Sequence, residues 1–169
     1  LRPILCKLVC LSCNGDQKSA DIAATSIELL HNFTLIHDDI MDNDILRHGR
    51  ETIHHKWNDS IAILSGDAML AIALIRLGDV KDDKSLILDK FNEGLIQVCE
   101  GQALDLEFQS KLNVTVEEYL TMIDKKTGYM LGLSAEMGSI VSKMNNETQI
   151  KFRKYGMLIG RAFQIQDDY

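Results

Sequence analysis

The chain has 169 residues, enough for one domain with a sizeable core, and it contains a single proline. A net charge of −7 and the absence of any basic run argue against a nucleic-acid-binding surface, and we do not predict one. The longest fully apolar run, Ala68 to Ile75, is too short to span a membrane, and no signal-peptide pattern is present. Because the chain lacks an initiating Met and stops abruptly after Asp167-Asp168-Tyr169, we expect it to be truncated at both ends.

Periodic apolar residues predict a succession of helices with short breaks and no strand-like alternation, an all-α bundle. The predicted helices are Ile4 to Ser12, Ser19 to Met41, Ile61 to Leu77, Lys84 to about Phe108, Val116 to Thr127, Met130 to Met144, and Glu147 to the end. Ser19 is the predicted N-cap of the second helix. The polar stretch Asn43 to Thr52 is predicted to be a loop or broken turn. The segments on either side of Gly128 are predicted as two helices or as one kinked helix.

Three of the four cysteines, Cys6, Cys10 and Cys13, have a C-x3-C-x2-C spacing that radical S-adenosylmethionine enzymes use for an iron–sulfur cluster. The same spacing places them on one apolar stripe of a helix, and free cysteine commonly packs as a small hydrophobe. We favour the helical stripe. With Cys99 isolated, the thiols predict a reduced, cytoplasmic setting.

The stretch that organises the chain lies at the end of the second predicted helix. On a helix, Asp42 falls about 40° from Asp38, and His31 lies two turns below Asp38 and about 20° away in rotation. Asp39 stands beside this stripe. Like charges at i,i+4 repel, and a hard divalent cation bound by oxygen ligands would offset the repulsion. A solvated acidic helix end is the alternative, but the apolar residues before the cluster indicate a buried helix.

The last predicted helix repeats this pattern. Asp167 and Asp168 follow a run of apolar and amide residues, and Gln164 lies on the same face as both aspartates. Two buried helices that end in acidic pairs can face each other across a cavity and share cations. Because Mg²⁺ commonly bridges carboxylates and substrate phosphates, the ligand predicted for such a site is a polyanion.

Basic residues near the first acidic cluster also favour a phosphate ligand. Arg47, His48 and Arg50 follow the carboxylates directly, and Gly49 among them lets a backbone approach closely. The run Lys126-Thr127-Gly128 offers a further cation and hydroxyl. Each of these signals is weak alone, because surface Lys and Arg are usually only solvated.

An ordered set of motifs resembles the trans-isoprenyl diphosphate synthases, the polyprenyl synthetase family, over nearly the whole chain. The matching segments are Leu1-Arg2-Pro3, Asp38-Asp39-Ile40-Met41-Asp42 with Arg47, Ser65-Gly66-Asp67, Gly101-Gln102 with Asp105, Lys126-Thr127-Gly128, and Phe163-Gln164-Ile165-Gln166-Asp167-Asp168. The resemblance implies an isoprenoid-synthase-type helical bundle around a central cavity, with residues 1–169 forming part of a single domain. It also implies a short-chain enzyme such as a geranylgeranyl or farnesyl diphosphate synthase, and a homodimer.

The resemblance implies a role for each matching residue. Those that would bind Mg²⁺ are Asp38, Asp39 and Asp42 from one side and Asp167 and Asp168 from the other. The residues assigned to the allylic diphosphate and the cation formed from it are Arg47, Lys126, Thr127 and Gln164. Arg2, His31 and His48 are assigned to isopentenyl diphosphate. The implied chemistry is ionisation, condensation and proton elimination, with the departed diphosphate as the base.

Two points remain open at this stage. Many relatives have a second arginine where this chain has His48, and the charge of histidine depends on pH near neutrality. The alternatives to an active synthase are a non-catalytic or truncated prenyl synthase-like subunit and a terpene cyclase.

By family analogy, Phe33 and Thr34 would form the floor that limits chain length. That analogy favours geranylgeranyl over farnesyl diphosphate as the product, although Phe33 can equally be ordinary core packing.

Overall fold

Helices form almost the whole of the computed structural model, which describes residues 1–169. Its elements are α1 (Arg2–Ser12), α2 (Gln17–Met41), β1 (Leu46–Arg47), β2 (Arg50–Glu51), α3 (Ile53–Lys56), α4 (Asp59–Leu77), α5 (Lys84–Ser110), α6 (Val116–Ile123), a π-helix (Asp124–Gly128), α7 (Tyr129–Ile140) and α8 (Asn146–Asp168). The predicted all-α class is confirmed. The abundance of Leu, Ile, Ala and Met and the single proline, at the first turn of α1, account for it.

The core is built around α7, in which every residue from Tyr129 to Ile140 is buried. The helices α1, α2, α5 and α8 pack around it. Three of these helices, α2, α5 and α7, supply large, fully buried apolar side chains to one cluster, which also includes residues of α1: Ile27, Leu30, Ile87, Phe91, Met130, Leu133 and Met137. The stripe of Cys6 and Cys10 lies in the same cluster on α1, as packed thiols on a regular helix.

The N-terminus of α2 differs from the prediction. The helix begins at Gln17 and its N-cap is Asp16, whose carboxylate accepts hydrogen bonds from the backbone N–H and hydroxyl of Ser19, at 3.1 and 2.6 Å. The prediction that Ser19 caps the helix was therefore wrong. Asp16 is the N-cap because its carboxylate, outside the helix, accepts a hydrogen bond from the backbone N–H of Ser19, which is the N3 residue.

The segment after α2 is an antiparallel hairpin and not the loop that the sequence predicted. Leu46 pairs with Glu51 and Arg47 with Arg50. The two turn residues, His48 and Gly49, have φ values of 51° and 76°, the left-handed pair that a tight two-residue hairpin needs. Strands of two residues are too short to show alternation, so no apolar period indicated them.

Between α6 and α7 the backbone forms a π-helix, in place of the kink or break predicted near Gly128. Each π-turn inserts a residue relative to an α-helix, and such insertions are frequent at functional sites. Close backbone packing holds this segment against α8: a Cβ on Gly160 would stand 2.6 Å from the Cα of Gly128. On the other side, a Cβ on Gly101 of α5 would stand 2.7 Å from the Cα of Lys126. Only glycine permits these approaches.

The helix α4 is long and apolar enough to cross a membrane by length and composition alone, with a mean hydropathy of 1.8 over 18 residues. Only 22% of that window is buried. A single helix of this kind is weak evidence for a membrane span. Its exposed large apolar side chains are Ile61, Ile63, Leu64, Ile72 and Ile75. We call them the α4 face, an apolar surface that this chain leaves uncovered.

Candidate active site

The first acidic cluster lies where α2 ends. The side chain of Asp38 is only 15% exposed, and its Oδ1 stands 3.3 Å from the Nζ of Lys126. That oxygen is buried and makes no hydrogen bond of acceptable geometry. Burial raises the pKa of Asp38, and Lys126 offsets this only in part. Asp38 thus presents a desolvated carboxylate oxygen without a full partner.

The neighbouring carboxylate, Asp39, already has a partner. It is 6% exposed and accepts a hydrogen bond of 2.5 Å from the Nε of Arg47. Arg47 also stands 3.6 Å from the carboxylate of Asp44. Because Arg47 lies on β1, this ion pair ties the hairpin to the end of α2. Asp39 is therefore held by a cation of the chain itself.

The third carboxylate, Asp42, is the exposed C-cap of α2. Its Oδ1 accepts a hydrogen bond of 3.2 Å from the Nε2 of Gln109. The sequence analysis did not identify Gln109. It lies one helical turn after Asp105 on α5, so the i,i+4 spacing from a motif residue was the available signal.

The π-helix connects the two acidic ends through consecutive residues. Lys126 contacts Asp38 of α2 and makes a shorter contact of 2.5 Å with Asp105 of α5. Burial alone would lower the pKa of Lys126, but these two carboxylates raise it, so its ammonium group stays charged. The next residue, Thr127, donates a hydrogen bond of 2.8 Å to the Oε1 of Gln164 on α8.

The second acidic pair stands at the end of α8. The Nε2 of Gln164 donates to Asp168 Oδ1 at 2.9 Å, and the hydroxyl of Tyr119 donates to Asp168 Oδ2 at 2.5 Å. Asp167 is exposed and makes no hydrogen bond or ion pair. The two acidic ends are thus linked by three hydrogen-bonded or ion-paired contacts through Lys126 and Thr127. No sequence signal pointed to Tyr119, which is 49 residues from Asp168.

Two of the residues assigned to isopentenyl diphosphate lie together. Arg2 Nη1 stands 3.0 Å from His31 Nε2, and because arginine can only donate, the imidazole nitrogen is the acceptor. Burial, reinforced by the charge of Arg2, lowers the pKa of His31 to about 3. The imidazole is therefore neutral at pH 7. The Nε of Arg2 is buried without a partner. A donor of this kind suits an anionic ligand.

The structure does not bring His48 into that group by any contact. Its side chain is exposed at the tip of the hairpin and makes no hydrogen bond or ion pair.

Phe33 and Thr34 lie on α2 one turn below the first acidic cluster. Phe33 is 8% exposed and packs edge-on against His37, with ring centroids 4.6 Å apart. Gly66 of α4 lies against both rings, since a Cβ there would stand 2.5 Å from the Nε2 of His37. The half-buried Thr34 donates a hydrogen bond of 2.8 Å to the carbonyl of His31. Phe33 thus fills the contact between α2 and α4.

The donor set fits a hard divalent cation. The buried, incompletely paired oxygen of Asp38 and the free carboxylate of Asp167 are ligands of the kind that Mg²⁺ prefers. No group of three or more His, Cys, Asp or Glu side chains is close enough to hold a metal ion unaided. Mg²⁺ is usually bound by one or two carboxylates together with substrate phosphates. Carboxylates that are not clustered in threes therefore suit a site that substrate phosphates complete.

Comparison with known proteins assigns the family. The polyprenyl synthetase family model matches residues 1–169. The chain belongs to the polyprenyl synthetase family. The predicted resemblance is thus confirmed, over the whole chain.

Individual relatives agree with this. The chain is 41% identical over 170 residues to a short chain isoprenyl diphosphate synthase of Methanocaldococcus jannaschii, covering 99% of this chain and 52% of the relative. It is 41% identical over 173 residues to a geranylgeranyl diphosphate synthase of Saccharolobus solfataricus, with the same coverage. A solved geranylgeranyl pyrophosphate synthetase from Geoglobus acetivorans superposes with a TM-score of 0.96 at 35% identity, covering 99% of this chain and 56% of that one. The chain spans about half the length of the curated relatives it matches.

Proposed function

We propose that the protein containing this chain is a trans-prenyltransferase. It would condense isopentenyl diphosphate with an allylic diphosphate to make a short-chain prenyl diphosphate. The observation that carries the proposal is the pairing of Lys126 and Thr127, because these consecutive residues reach the two acidic ends. A cation and a hydroxyl between two sets of carboxylates suit a ligand with a diphosphate at one end. Residues 1–169 would form part of a single catalytic domain.

Each group has a part that follows from its chemistry. Asp38 and Asp42 on one side and Asp167 and Asp168 on the other would hold Mg²⁺, with Asp39 contributing through Arg47. Bound Mg²⁺ would neutralise the charge that develops on the leaving diphosphate. Arg47 and Lys126 would bind the phosphate oxygens of the allylic substrate. These cations are already held by Asp39 and by Asp38 with Asp105, so little conformational freedom would be lost on binding.

The second substrate would bind near the first turn of α1. Arg2 would donate to the diphosphate of isopentenyl diphosphate, and the neutral His31 would orient Arg2 by accepting its hydrogen bond. His48 would contribute only if the hairpin tip turned toward the same diphosphate. Thr127 and Gln164 would stabilise the allylic cation through oxygen lone pairs. The departed diphosphate is the proposed base for the final proton.

A product assay tests the proposal. The complete protein should convert isopentenyl and dimethylallyl diphosphates, with Mg²⁺, into prenyl diphosphates that chromatography and mass spectrometry identify. Geranylgeranyl diphosphate is the expected main product, with farnesyl diphosphate next. Excess EDTA should stop the reaction and added Mg²⁺ should restore it. Absence of product with both farnesyl and dimethylallyl diphosphate as allylic substrates would refute the proposal.

We infer a homodimer from the α4 face. Ile75 is 72% exposed and Leu64 is 64% exposed, which is a large apolar area for a surface in water. A second copy would cover it. Sedimentation should show a dimer for the complete protein and a monomer for Ile75→Arg. Leu112→Arg is the control, because Leu112 is 99% exposed outside this face. A monomeric wild-type protein at micromolar concentration would exclude the dimer.

The free thiols support a cytoplasmic location. Cys6 and Cys10 are both buried and unbridged, and none of the four cysteines forms a disulfide. Persistent free thiols are typical of a reducing compartment. Fractionation of cells that express the complete protein should recover it with the soluble cytoplasmic fraction, and recovery with membranes would contradict this location.

A further inference from the structure

Tyr119 is the one aromatic hydroxyl that contacts the acidic pair of α8. Its Oη donates to Asp168 Oδ2 at 2.5 Å across two helices. We propose that Tyr119 is a positioning residue that fixes the orientation of Asp168 and, through it, of Gln164 and Thr127. This inference rests on the proposed function and adds to it a residue from α6.

The hydrogen bonds around Asp168 can run in only one direction. An ionised carboxylate only accepts, so the side chain of Gln164 must turn its NH₂ group toward Asp168 Oδ1, at 2.9 Å. Its carbonyl oxygen then faces Thr127, at 2.8 Å, and the threonine hydroxyl must donate. The orientation of Asp168 therefore decides which lone pairs Gln164 and Thr127 leave for a ligand.

Asp168 needs an outside partner to keep one orientation. Gln164 contacts only one of its two oxygens. The hydroxyl of Tyr119 engages the other. A carboxylate with both oxygens engaged cannot rotate about its terminal torsion without breaking a charge-assisted hydrogen bond.

The start of α6 explains why Tyr119 stands in a fixed place. Thr115 and Glu118 form a reciprocal capping box: the Glu118 N–H donates to Thr115 Oγ1 at 3.2 Å, and the Thr115 N–H donates to the Glu118 carboxylate at 2.9 Å. Lys111 pairs with the same carboxylate at 2.5 Å. Tyr119 directly follows Glu118, so the cap that fixes the first turn of α6 also fixes the point from which its side chain extends.

The variant Tyr119→Phe, made in the complete protein, tests this role. Mn²⁺ serves as the probe, titrated by electron paramagnetic resonance in the presence of inorganic pyrophosphate. Loss of one charge-assisted hydrogen bond should raise the Mn²⁺ midpoint about five- to tenfold. Tyr155→Phe is the matched control, because Tyr155 is 55% exposed on α8 and its hydroxyl makes no hydrogen bond. Its midpoint should equal that of the wild type.

Two further measurements separate positioning from a general loss of structure. The Mg²⁺ concentration for half-maximal rate should rise in Tyr119→Phe by a similar factor. The KM for isopentenyl diphosphate should not change, because its assigned contacts, Arg2 and His31, lie on α1 and α2. In the background of Asp168→Ala, which removes both acceptor oxygens, Tyr119→Phe should add no further shift, since the two residues act through one hydrogen bond.

Several outcomes would overturn the inference: an unchanged Mn²⁺ midpoint, an equal shift in Tyr155→Phe, or an additive shift on Asp168→Ala. A matching rise in the KM for isopentenyl diphosphate would also overturn it. A wild-type protein that binds no Mn²⁺ would remove the ligand role of Asp168 and the inference with it. A wild-type protein that binds Mn²⁺ and shows the Tyr119 shift, yet makes no prenyl product, would refute the proposed function and leave the positioning role intact.

Discussion

The two acidic ends carry similar sequences but are built differently. Two of the three carboxylates at the end of α2 are largely buried and paired with cations, Asp39 with Arg47 and Asp38 with Lys126. Those at the end of α8 are exposed, and the partners of Asp168 are the neutral groups of Gln164 and Tyr119. The first end is thus held by ion pairs that the fold desolvates, while the second depends on neutral hydrogen bonds. We expect removal of a partner to cost more stability at the first end than at the second.

The largest expected effect comes from Asp38→Ala. It removes a proposed metal ligand, and because a bound metal would supply several kcal/mol to the transition state, prenyl transfer should fall by about three orders of magnitude. The unfolding temperature of the metal-free protein should stay level or rise, since burial raises the pKa of Asp38 and its ionised form is costly there. Near-normal turnover would remove Asp38 from the metal site.

Phe33→Ala probes the floor below the first end. Deleting a buried ring that packs on His37 should cost about 3 kcal/mol of unfolding free energy in urea. If the ring also limits the product, the variant should make longer prenyl chains, which product chromatography measures. Thr34→Ala is the control for a smaller deletion at the next residue. An unchanged product distribution at normal activity would assign Phe33 to core packing alone.

Arg47→Met tests whether the buried ion pair of the first end is as tightly coupled as its geometry indicates. Without Arg47, the carboxylate of Asp39 stays buried without a cation, and the free energy of unfolding should fall by about 2 kcal/mol, less than for a fully buried pair because Arg47 is 30% exposed. Arg50→Met is the control, since Arg50 is an exposed residue of the same hairpin. Equal urea midpoints for the two variants would contradict the coupling.

His31→Gln tests the burial of the first end through pH. The folded pKa of His31 is about 3, below its ordinary value of 6.5, so the unfolded chain binds the extra proton between these values. Stability is therefore lost as the pH falls below about 6.5, by about 2.5 kcal/mol at pH 4.5. His31→Gln should lose less stability than the wild type between pH 7 and 4.5 in urea titrations. His48→Gln, at the exposed hairpin tip, should follow the wild type.

Asp167→Asn gives the smallest expected stability effect and defines the contrast at the second end. Asp167 is exposed and its side chain makes no hydrogen bond or ion pair, so the free energy of unfolding should change by less than about 0.5 kcal/mol. The Mg²⁺ requirement of prenyl transfer should nevertheless rise. A large loss of stability would mean that the second end is as tightly built into the fold as the first.

Local patterns predicted most of this fold. The apolar period located the helices, and the motif spacing marked both acidic ends before any contact was known. The sequence could not predict that Lys126 reaches Asp38, because they lie 88 positions apart and only the packing of α5 and the π-helix brings them together. The hairpin and the Asp16 cap were missed for a local reason: two-residue strands carry no alternation, and several polar residues competed for one cap.

Close backbone packing between Gly160 and Gly128 fixes the position of α8 at Gly160. Asp167 lies seven residues beyond Gly160, about 10 Å along a helix that rises 1.5 Å per residue. A tilt of α8 by about 5° at Gly160 would move the carboxylate of Asp167 by about 1 Å, a displacement large enough to affect catalysis. Gly160, which has no side chain and no part in the proposed chemistry, therefore determines where the carboxylate of Asp167 lies. The distance between the backbones at Gly160 and Gly128 would thus affect prenyl transfer through a carboxylate two helical turns away.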